Sequence, residues 1–345
     1  MILRIHRDYV AAGAEVLTAN TFRTQARALA RGGLGERAAE LTQIAIEVAR
    51  QAARPGLDAA AIEAVLAQAR YQQSIIDAIS RPAEKTKPWR DYRPIFLTPQ
   101  RAEQGLAFWR ENAALLDRVS AEFGVPPEII VAIIGVETSY GRITGRHRAP
   151  DALVTLAFYY PPRAEFFRKE LAQLFLLQGE TFPYQLDEVM GSYAGAMGWG
   201  QFMPSSIANY ARSYDDDPRI DLWASRPDVI ASVANYFAEH GWESGAPVAR
   251  RARGAAKARQ VAPPDLHAAY PVAQKETSGH SIDGEDDPER SATLLRLEGA
   301  QGDEYWVTHR NFWVISRYNR GPLYSMAVWE LSQELAAGMR GASGP

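Results

Sequence analysis

The chain has no cysteine in its 345 residues. Disulfides, thiolate-held zinc, iron–sulfur clusters and cysteine nucleophiles are thereby excluded, although the compartment is not, since exported proteins also do without cysteine. Charge of one sign is missing too. Lys and Arg number 38 against 41 Asp and Glu, a net charge of −3, which leaves no global basic footprint for nucleic acid. There is no long apolar run: the densest, Ile129 to Val136, falls far short of the roughly 20 residues that span a bilayer. The opening Met1-Ile-Leu-Arg-Ile-His-Arg7 puts charges where the apolar core of a signal peptide belongs, and no cleavage site follows, so no export signal is read there. No Gly-x-Ser-x-Gly elbow and no Walker loop occur, the six histidines are scattered without metal-ligand spacing, and there is no internal repeat.

What remains is ordinary globular material, 46% hydrophobic and 23% charged, over a length that serves one large domain or two to three smaller ones. Its 15 Tyr and 8 Trp suit carbohydrate grooves and equally the filling of cores. Residues 1–55 read as helix, short strand and helix, the last stopped by Pro55-Gly56. Asp58 caps a helix with Ile62, Val65, Leu66 and Ala69 on one face. Residues 81–94 read as a connector. Thr98-Pro99 opens helical patterns that run to about residue 240, broken at Gly124–Pro127, Tyr160–Pro162, Pro183 and Gly191–Gly200. Residues 243–291 are polar. Their basic cluster (Arg250, Arg251, Arg253, Lys257, Arg259) and acidic cluster (Asp283, Glu285, Asp286, Asp287, Glu289) read as solvated loops. Ser291–Leu297 and Glu304–Thr308 have the pattern of strands, and Leu323–Leu335 returns to helix. The expected architecture is a mainly α body interrupted by a small β-containing insertion before its last helix.

Three stretches offer chemistry. In Pro127-Glu-Ile-Ile-Val-Ala-Ile-Ile-Gly-Val-Glu-Thr-Ser-Tyr-Gly141, apolar residues surround a helix on all sides, so it should be buried, and Glu137 ends the run. A carboxyl there loses hydration, which favours its protonated form, the form a general acid needs to protonate a leaving oxygen. Gly141 would end the helix and open space beside the carboxyl. A buried Glu paired with Arg142 or Arg146 is the plain alternative. Gly191-Ser-Tyr-Ala-Gly-Ala-Met-Gly-Trp-Gly-Gln-Phe-Met-Pro-Ser205 is either a substrate-lining loop or a packing corner; its glycine spacing fits no nucleotide fingerprint. Arg317-Tyr-Asn-Arg-Gly-Pro-Leu-Tyr324 sets amide and hydroxyl groups beside aromatic faces, or is a polar turn. Ser213-Tyr-Asp-Asp-Asp-Pro-Arg-Ile-Asp221 faintly follows a calcium loop, but Pro218 stands where glycine is expected and Ala224 where Glu is.

Glu137-Thr-Ser-Tyr-Gly141, Ala194-Gly-Ala-Met-Gly-Trp-Gly-Gln-Phe-Met-Pro204, Ser232-Val-Ala-Asn-Tyr-Phe237 and Arg317-Tyr-Asn319, in that order, closely resemble the B-type lytic murein transglycosylases over about Gly56 to Leu335. The resemblance implies a lysozyme-like helical core with an additional helical domain and a small β-domain. It implies cleavage of the β-1,4 bond between N-acetylmuramic acid and N-acetylglucosamine of peptidoglycan without water: the muramyl C6 hydroxyl attacks its own anomeric carbon and leaves a 1,6-anhydro end. Glu137 would act as acid and then base. Tyr92, Ser192, Gln201, Tyr236, Tyr318, Asn319 and Tyr324 would line the sugar subsites, and Arg163 would meet carboxylates of the peptide stem or the muramyl group. No cofactor is required. Calcium stays open, with Asp215, Asp217 and Asp228 as its ligands, because Ser213 and Pro218 depart from the family's loop. Partners implied are peptidoglycan strands and cell-wall synthesis enzymes, with no nucleic acid; the chain would be a monomer in the periplasm, where the substrate is.

The expected organisation is an appendage at 1–55, a helical lead-in and connector at 56–98, a lysozyme-like core at 99–242, a β-containing insertion at 243–310 and a return to the core at 311–345. Within the appendage, Ile5–Arg23 resembles a fragment of homocysteine S-methyltransferases, (β/α)₈ barrels that hold zinc through cysteines; about 55 residues without cysteine cannot rebuild one. Two rival readings remain at this point, a catalytically silent peptidoglycan-binding module and a lysozyme-type hydrolase. The latter ordinarily needs a second carboxylate.

Overall fold

The computed structural model describes residues 65–81, 87–177, 179, 181–254, 270–271, 280–282 and 287–342. The segment 1–55, with its methyltransferase-like stretch, lies outside the described residues, as do Asp58, Lys257, Arg259, Asp283, Glu285 and Asp286.

The helical body is built from α1 (Gln73–Ser80), α2 (Trp89–Phe96), α3 (Pro99–Glu111), α4 (Ala113–Phe123), α5 (Pro127–Thr138), α6 (Ala149–Tyr159), α7 (Ala164–Leu177), α8 (Pro204–Tyr210), α9 (Arg226–Glu239), α10 (Arg310–Tyr318) and α11 (Pro322–Ala342). At its centre is α5. Ile129, Ile130, Val131, Ala132, Ile133 and Ile134 are all essentially inaccessible. A helix apolar all round has no solvent face, and α11, α3 and α9 cover its sides. Each buried Ile or Val adds about 1.5–3 kcal/mol of transfer free energy, so this one helix anchors the body. Its start is set by Pro127 in the first turn. α3 starts as the sequence suggests, with Thr98 Oγ1 accepting from the Arg101 N–H at 3.2 Å.

The connector reading of 81–94 is corrected. α2 occupies its second half and continues to Phe96 with Pro94 inside it. Burial of Trp89 and Tyr92, 1% and 2% exposed, outweighs the hydrogen bond that a proline removes from so short a helix. The segment before it docks on α6. Asp151, 3% exposed, accepts from the Arg70 N–H and from Gln72 Nε2, both at 3.0 Å, and Thr155 Oγ1 accepts from the Gln72 N–H at 3.1 Å. These bonds carry α1 alongside α6.

Two sheets are present among the described residues. β1 (His147–Arg148) pairs antiparallel with β2 (Met190–Gly191). The second sheet comprises β3 (Ala249–Gly254), β4 (Tyr270–Pro271), β5 (His280–Ile282), β6 (Ser291–Gly299) and β7 (Gly302–Thr308), in the order β4-β6-β7-β3-β5 with antiparallel pairs. On β6, Leu295 and Leu297 face the helical core, while Ala292 and Leu294 join Ala252 and Val307 in a small core of the sheet's own. The solvated-loop reading of Arg250, Arg251 and Arg253 is therefore corrected: they lie on β3, inside the sheet. Arg251 meets Glu304 on β7 at 2.6 Å and covers the ring of Trp306 at 5.0 Å, so a cross-strand partner takes up the charge. The sheet's entry and exit are tied by Asn311, wholly buried, whose Nδ2 donates to the carbonyls of Glu243 (2.8 Å) and Ala246 (3.1 Å) while its Oδ1 accepts from the Glu243 N–H (2.9 Å).

Candidate active site

A cleft of about 1710 Å³ opens at the C-terminal end of α5. Helix α5 stops at Thr138, one residue beyond Glu137, so a half-buried carboxyl stands at the rim of the core and at the bottom of the cleft. The stop is not made by Gly141 alone, as the sequence suggested. Ser139, Tyr140 and Gly141 have φ of 50°, 61° and 80°, three left-handed residues in a row. Thr138 Oγ1 accepts from the Gly141 N–H at 3.0 Å and donates to the Trp199 carbonyl at 2.8 Å, which ties the helix end to the glycine-rich loop. A Cβ on Gly141 would stand 2.2 Å from the Trp199 ring, so glycine is required there for space as well as for φ. Non-glycine residues in this region cost about 1–3 kcal/mol each and collect at functional sites. Among the described residues there are three, Ser139, Tyr140 and Gln201, and all three flank or line this cleft.

Glu137 is met from above by α11. Tyr324, 4% exposed, donates its hydroxyl to Glu137 Oε1 at 2.5 Å. Burial first, then the negative charge of Glu137, pushes the Tyr324 hydroxyl well above the ordinary tyrosine range, so it stays protonated and stays a donor. The same two causes act in the same order on Tyr318.

The residues expected from the sequence divide into two groups. Tyr92 from α2, Arg163, Ser192, Gln201, Asn319 and Tyr324 line the cleft with Glu137. Tyr236 and Tyr318 do not; they stand behind its wall. The Tyr236 hydroxyl donates to the Arg317 carbonyl and the Tyr318 hydroxyl to the Gly200 carbonyl, each at 2.6 Å, and their rings lie 4.7 Å apart. Their polar ends hold backbone and their faces pack in the core, which an isolated motif cannot reveal. Ser192 is also spent locally: its Oγ accepts from the Ala194 and Ala196 N–H groups at 3.3 and 3.1 Å. Gln201 Nε2 donates to the Gly198 and Thr144 carbonyls at 2.9 and 3.1 Å, joining the glycine-rich loop to the strip after Gly141. Arg163 is exposed and stacks over Phe166 at 4.5 Å.

Other lining residues were not singled out for the cleft. Tyr193 is 42% exposed and Ile143 68%, apolar faces turned toward solvent at the cleft. Arg81, Arg142, Arg146, Arg317 and Arg320 join Arg163, so among the described residues six arginines face two carboxylates, Glu137 and Asp77. Asp77 is exposed on α1 and accepts from Gln73 Nε2 at 2.8 Å. The concentration of positive charge was invisible along the chain because its members come from four separate segments.

The carboxylates of the acidic loop after α8 are held by the loop's own groups. Arg219 forks Asp217, with Nε 2.9 Å and Nη2 2.5 Å from Oδ2, and holds its pKa down. Asp228 spends both oxygens on the backbone, accepting from the Tyr214 and Asp221 N–H groups at 2.8 Å each. Asp215 accepts from the Asp217 N–H at 3.0 Å and from Ser225 Oγ at 2.9 Å. Ser213 Oγ donates to the Asp217 carbonyl. The loop's carboxylates are thus paired within it, and no pre-assembled group of three metal-ligating side chains occurs among the described residues.

The family model described as transglycosylase SLT domain matches residues 40–333. Membrane-bound lytic murein transglycosylase B of Escherichia coli (strain K12) is 41% identical over 290 residues, 81% of this chain and 79% of that one. The solved soluble lytic transglycosylase SltB1 from Pseudomonas aeruginosa has a TM-score of 0.79 at 43% identity, covering 87% of this chain and 99% of that one. Escherichia coli lytic transglycosylase Slt35, solved in complex with calcium, has a TM-score of 0.73 at 34% identity, covering 94% and 99%. These relatives carry the lysozyme-like fold, and the helical body described above is this chain's version of it.

Proposed function

The chain belongs to the transglycosylase family whose SLT domain spans its residues 40–333, and on that premise we propose that Glu137 performs both the acid and the base step of its reaction. The protein is a lytic murein transglycosylase, a lyase acting on peptidoglycan that needs no cofactor. The observation that carries the assignment is the Glu137 carboxyl at the end of the apolar run of α5, half-buried at the bottom of the cleft and hydrogen-bonded by Tyr324.

Tyr324 holds the carboxyl through Oε1. Protonated Glu137 gives its proton to the glycosidic oxygen as the bond from the muramyl anomeric carbon breaks. The leaving N-acetylglucosamine end departs as an alcohol. The acetamido carbonyl of the muramyl group steadies the cationic carbon. Glu137, now an anion, takes the proton of the C6 hydroxyl as O6 closes on the anomeric carbon. The proton count returns to its start, and the product is one water lighter than a hydrolysis product. One carboxyl suffices because the nucleophile is part of the substrate and is held against its target, an advantage worth roughly 7–11 kcal/mol at best. Asp77 lies on α1 at the exposed side of the cleft and has no role in this scheme.

The surplus of arginines favours anionic strands that carry peptide stems, Arg163 among the contacts, since a cleft of one sign concentrates ligands of the other. The exposed faces of Tyr193 and Ile143 suit the apolar faces of sugar rings. The catalytic body combines residues 99–242 with 311–345, since Glu137 comes from the first piece and Tyr324 from the second. The periplasm follows from where peptidoglycan lies. No step runs through calcium.

The test is mass spectrometry of products from purified sacculi, with Glu137→Gln and Asp77→Asn in parallel. Anhydro products from the unaltered protein and from Asp77→Asn, and none from Glu137→Gln, are expected. Reducing-end products abolished by Asp77→Asn would replace this mechanism with two-carboxylate hydrolysis.

A further inference from the structure

We propose that Tyr140 is a positioning residue for Glu137: its ring is a wedge, admitted by two helix-interior glycines, that holds the left-handed turn after α5 and thereby aims the carboxyl. The inference rests on the acid–base reading of Glu137.

Tyr140 is 6% exposed and has φ of 61°, a conformation a bulky side chain adopts only when its surroundings impose it. Its ring stacks on Phe108 of α3, with centroids 5.7 Å apart. The route is unusually tight. A Cβ on Gly135 of α5 would stand 2.5 Å from the Tyr140 hydroxyl oxygen, and one on Gly105 of α3 would stand 2.2 Å from it. Neither glycine has a left-handed φ. Each weakens its own helix, and the Tyr140 ring is what a side chain there would strike. Room for this ring is the physical reason at Gly135, and at Gly105 it acts together with Leu335, whose Cδ2 would lie 2.6 Å from such a Cβ.

Among the described residues the hydroxyl has no hydrogen-bond partner, and burial pushes it far above the usual tyrosine range. A buried unpaired hydroxyl is a cost, so the ring and not the oxygen serves the fold. The turn is held from the same helix at a second point: Arg101 Nη2 lies 3.2 Å from Ser139 Oγ, and Arg101 Nη1 donates at 2.8 Å to the carbonyls of Ile95 and Phe96 at the end of α2. Arg101, Gly105 and Phe108 are spaced i, i+4 and i+7, one face of α3. That face therefore grips both residues that follow Thr138. The Tyr140 N–H donates to the Ile134 carbonyl at 3.3 Å, so the ring's position is transmitted to the last turn, which carries Glu137. A misplacement of about 1 Å costs on the order of 10²-fold in rate.

The experiment measures kcat and KM on soluble N-acetylglucosaminyl–N-acetylmuramyl strands, and thermal midpoints, for Tyr140→Phe, Tyr140→Leu, Gly105→Ala and Glu137→Gln in the full chain. Rates are read per folded molecule, well below each midpoint. Tyr140→Phe is expected to keep kcat and KM. Tyr140→Leu and Gly105→Ala are expected to lose kcat by roughly 10–100-fold with KM within about twofold, because the cleft that binds sugar is untouched. Gly105→Ala deletes nothing and decides the matter should Tyr140→Leu fail to fold. Full kcat in folded Gly105→Ala or folded Tyr140→Leu overturns the proposal, as does an equal loss in Tyr140→Phe, which would assign the role to the oxygen. Activity retained by Glu137→Gln would instead sink the acid–base reading, a separate failure.

Discussion

Replacing Tyr324 by phenylalanine removes one oxygen from the site and leaves the ring in its packing. The lost bond, 2.5 Å to Glu137 Oε1, is neutral while the carboxyl carries its proton and charge-assisted once the proton has gone to the leaving oxygen. Neutral hydrogen bonds contribute about 0.5–1.5 kcal/mol net and those to charged groups about 1.5–3 kcal/mol. The difference, about 1–1.5 kcal/mol, is stabilisation that exists only as the transition state is approached. Tyr324→Phe should therefore lose roughly 5- to 10-fold in kcat, with KM nearly unchanged. The same difference acts on pH dependence. Removing a donor disfavours the anionic form relative to the acid, so the alkaline limb of the rate profile, where the acid is lost, should move up by about one pH unit, since 1.36 kcal/mol corresponds to one unit. The variant should thus lose least at the alkaline end. The assay is kcat against pH on soluble strands, for both proteins, with the anhydro product quantified. An unchanged kcat together with an unmoved alkaline limb would refute the reasoning, because the bond would then be equally strong in both protonation states or absent during turnover.

Three further outcomes follow from the geometry. Asn311→Ala strands two carbonyls and one N–H at the neck of the β-insertion and should cost about 3 kcal/mol in denaturant unfolding, with kcat of the folded fraction kept. Calcium or a chelator should leave the thermal midpoint unmoved, while Arg219→Gln, which frees Asp217, should make the midpoint rise with added calcium. His240 stacks on Tyr236 with centroids 4.1 Å apart, and burial pushes its pKa below the ordinary value of 6.5. The unfolded chain then takes up the proton first as pH falls. The stability that neutral His240 provides is complete above about 6.5 and is lost below it, so His240→Phe should flatten the decline of the thermal midpoint between about pH 7 and about pH 5.

Legibility of the chain varied with the range over which its physics acts. α5 could be read because eight consecutive apolar positions followed by Glu137 leave no solvent face, a property of neighbours in sequence. The Thr98 cap and the hairpin of β6 and β7 are equally local. α2 was missed because its cause is the burial of Trp89 and Tyr92, which only their packing against the rest of the fold reveals. β3 was missed because the partners that neutralise Arg251 are some 50 residues away. At the site, Tyr236, Tyr318 and Tyr324 look alike along the chain, each a tyrosine in a polar aromatic context. Only Tyr324 meets the carboxyl; the other two brace carbonyls behind the wall.

By itself the sequence determined the helical character of the body, the acid at the end of its most apolar helix and, through ordered motifs, the chemistry of the family. The tertiary structure decided what surrounds that acid. It placed one hydroxyl on Oε1, six arginines around one cleft, and α3 behind the turn that follows Glu137. It also paired the acidic loop with its own arginine and amides. The reason is one of distance: helix type and motif order follow from residues within a few turns of each other, whereas hydrogen bonds, charge fields and the space around a ring are set by groups that only the folded chain brings together.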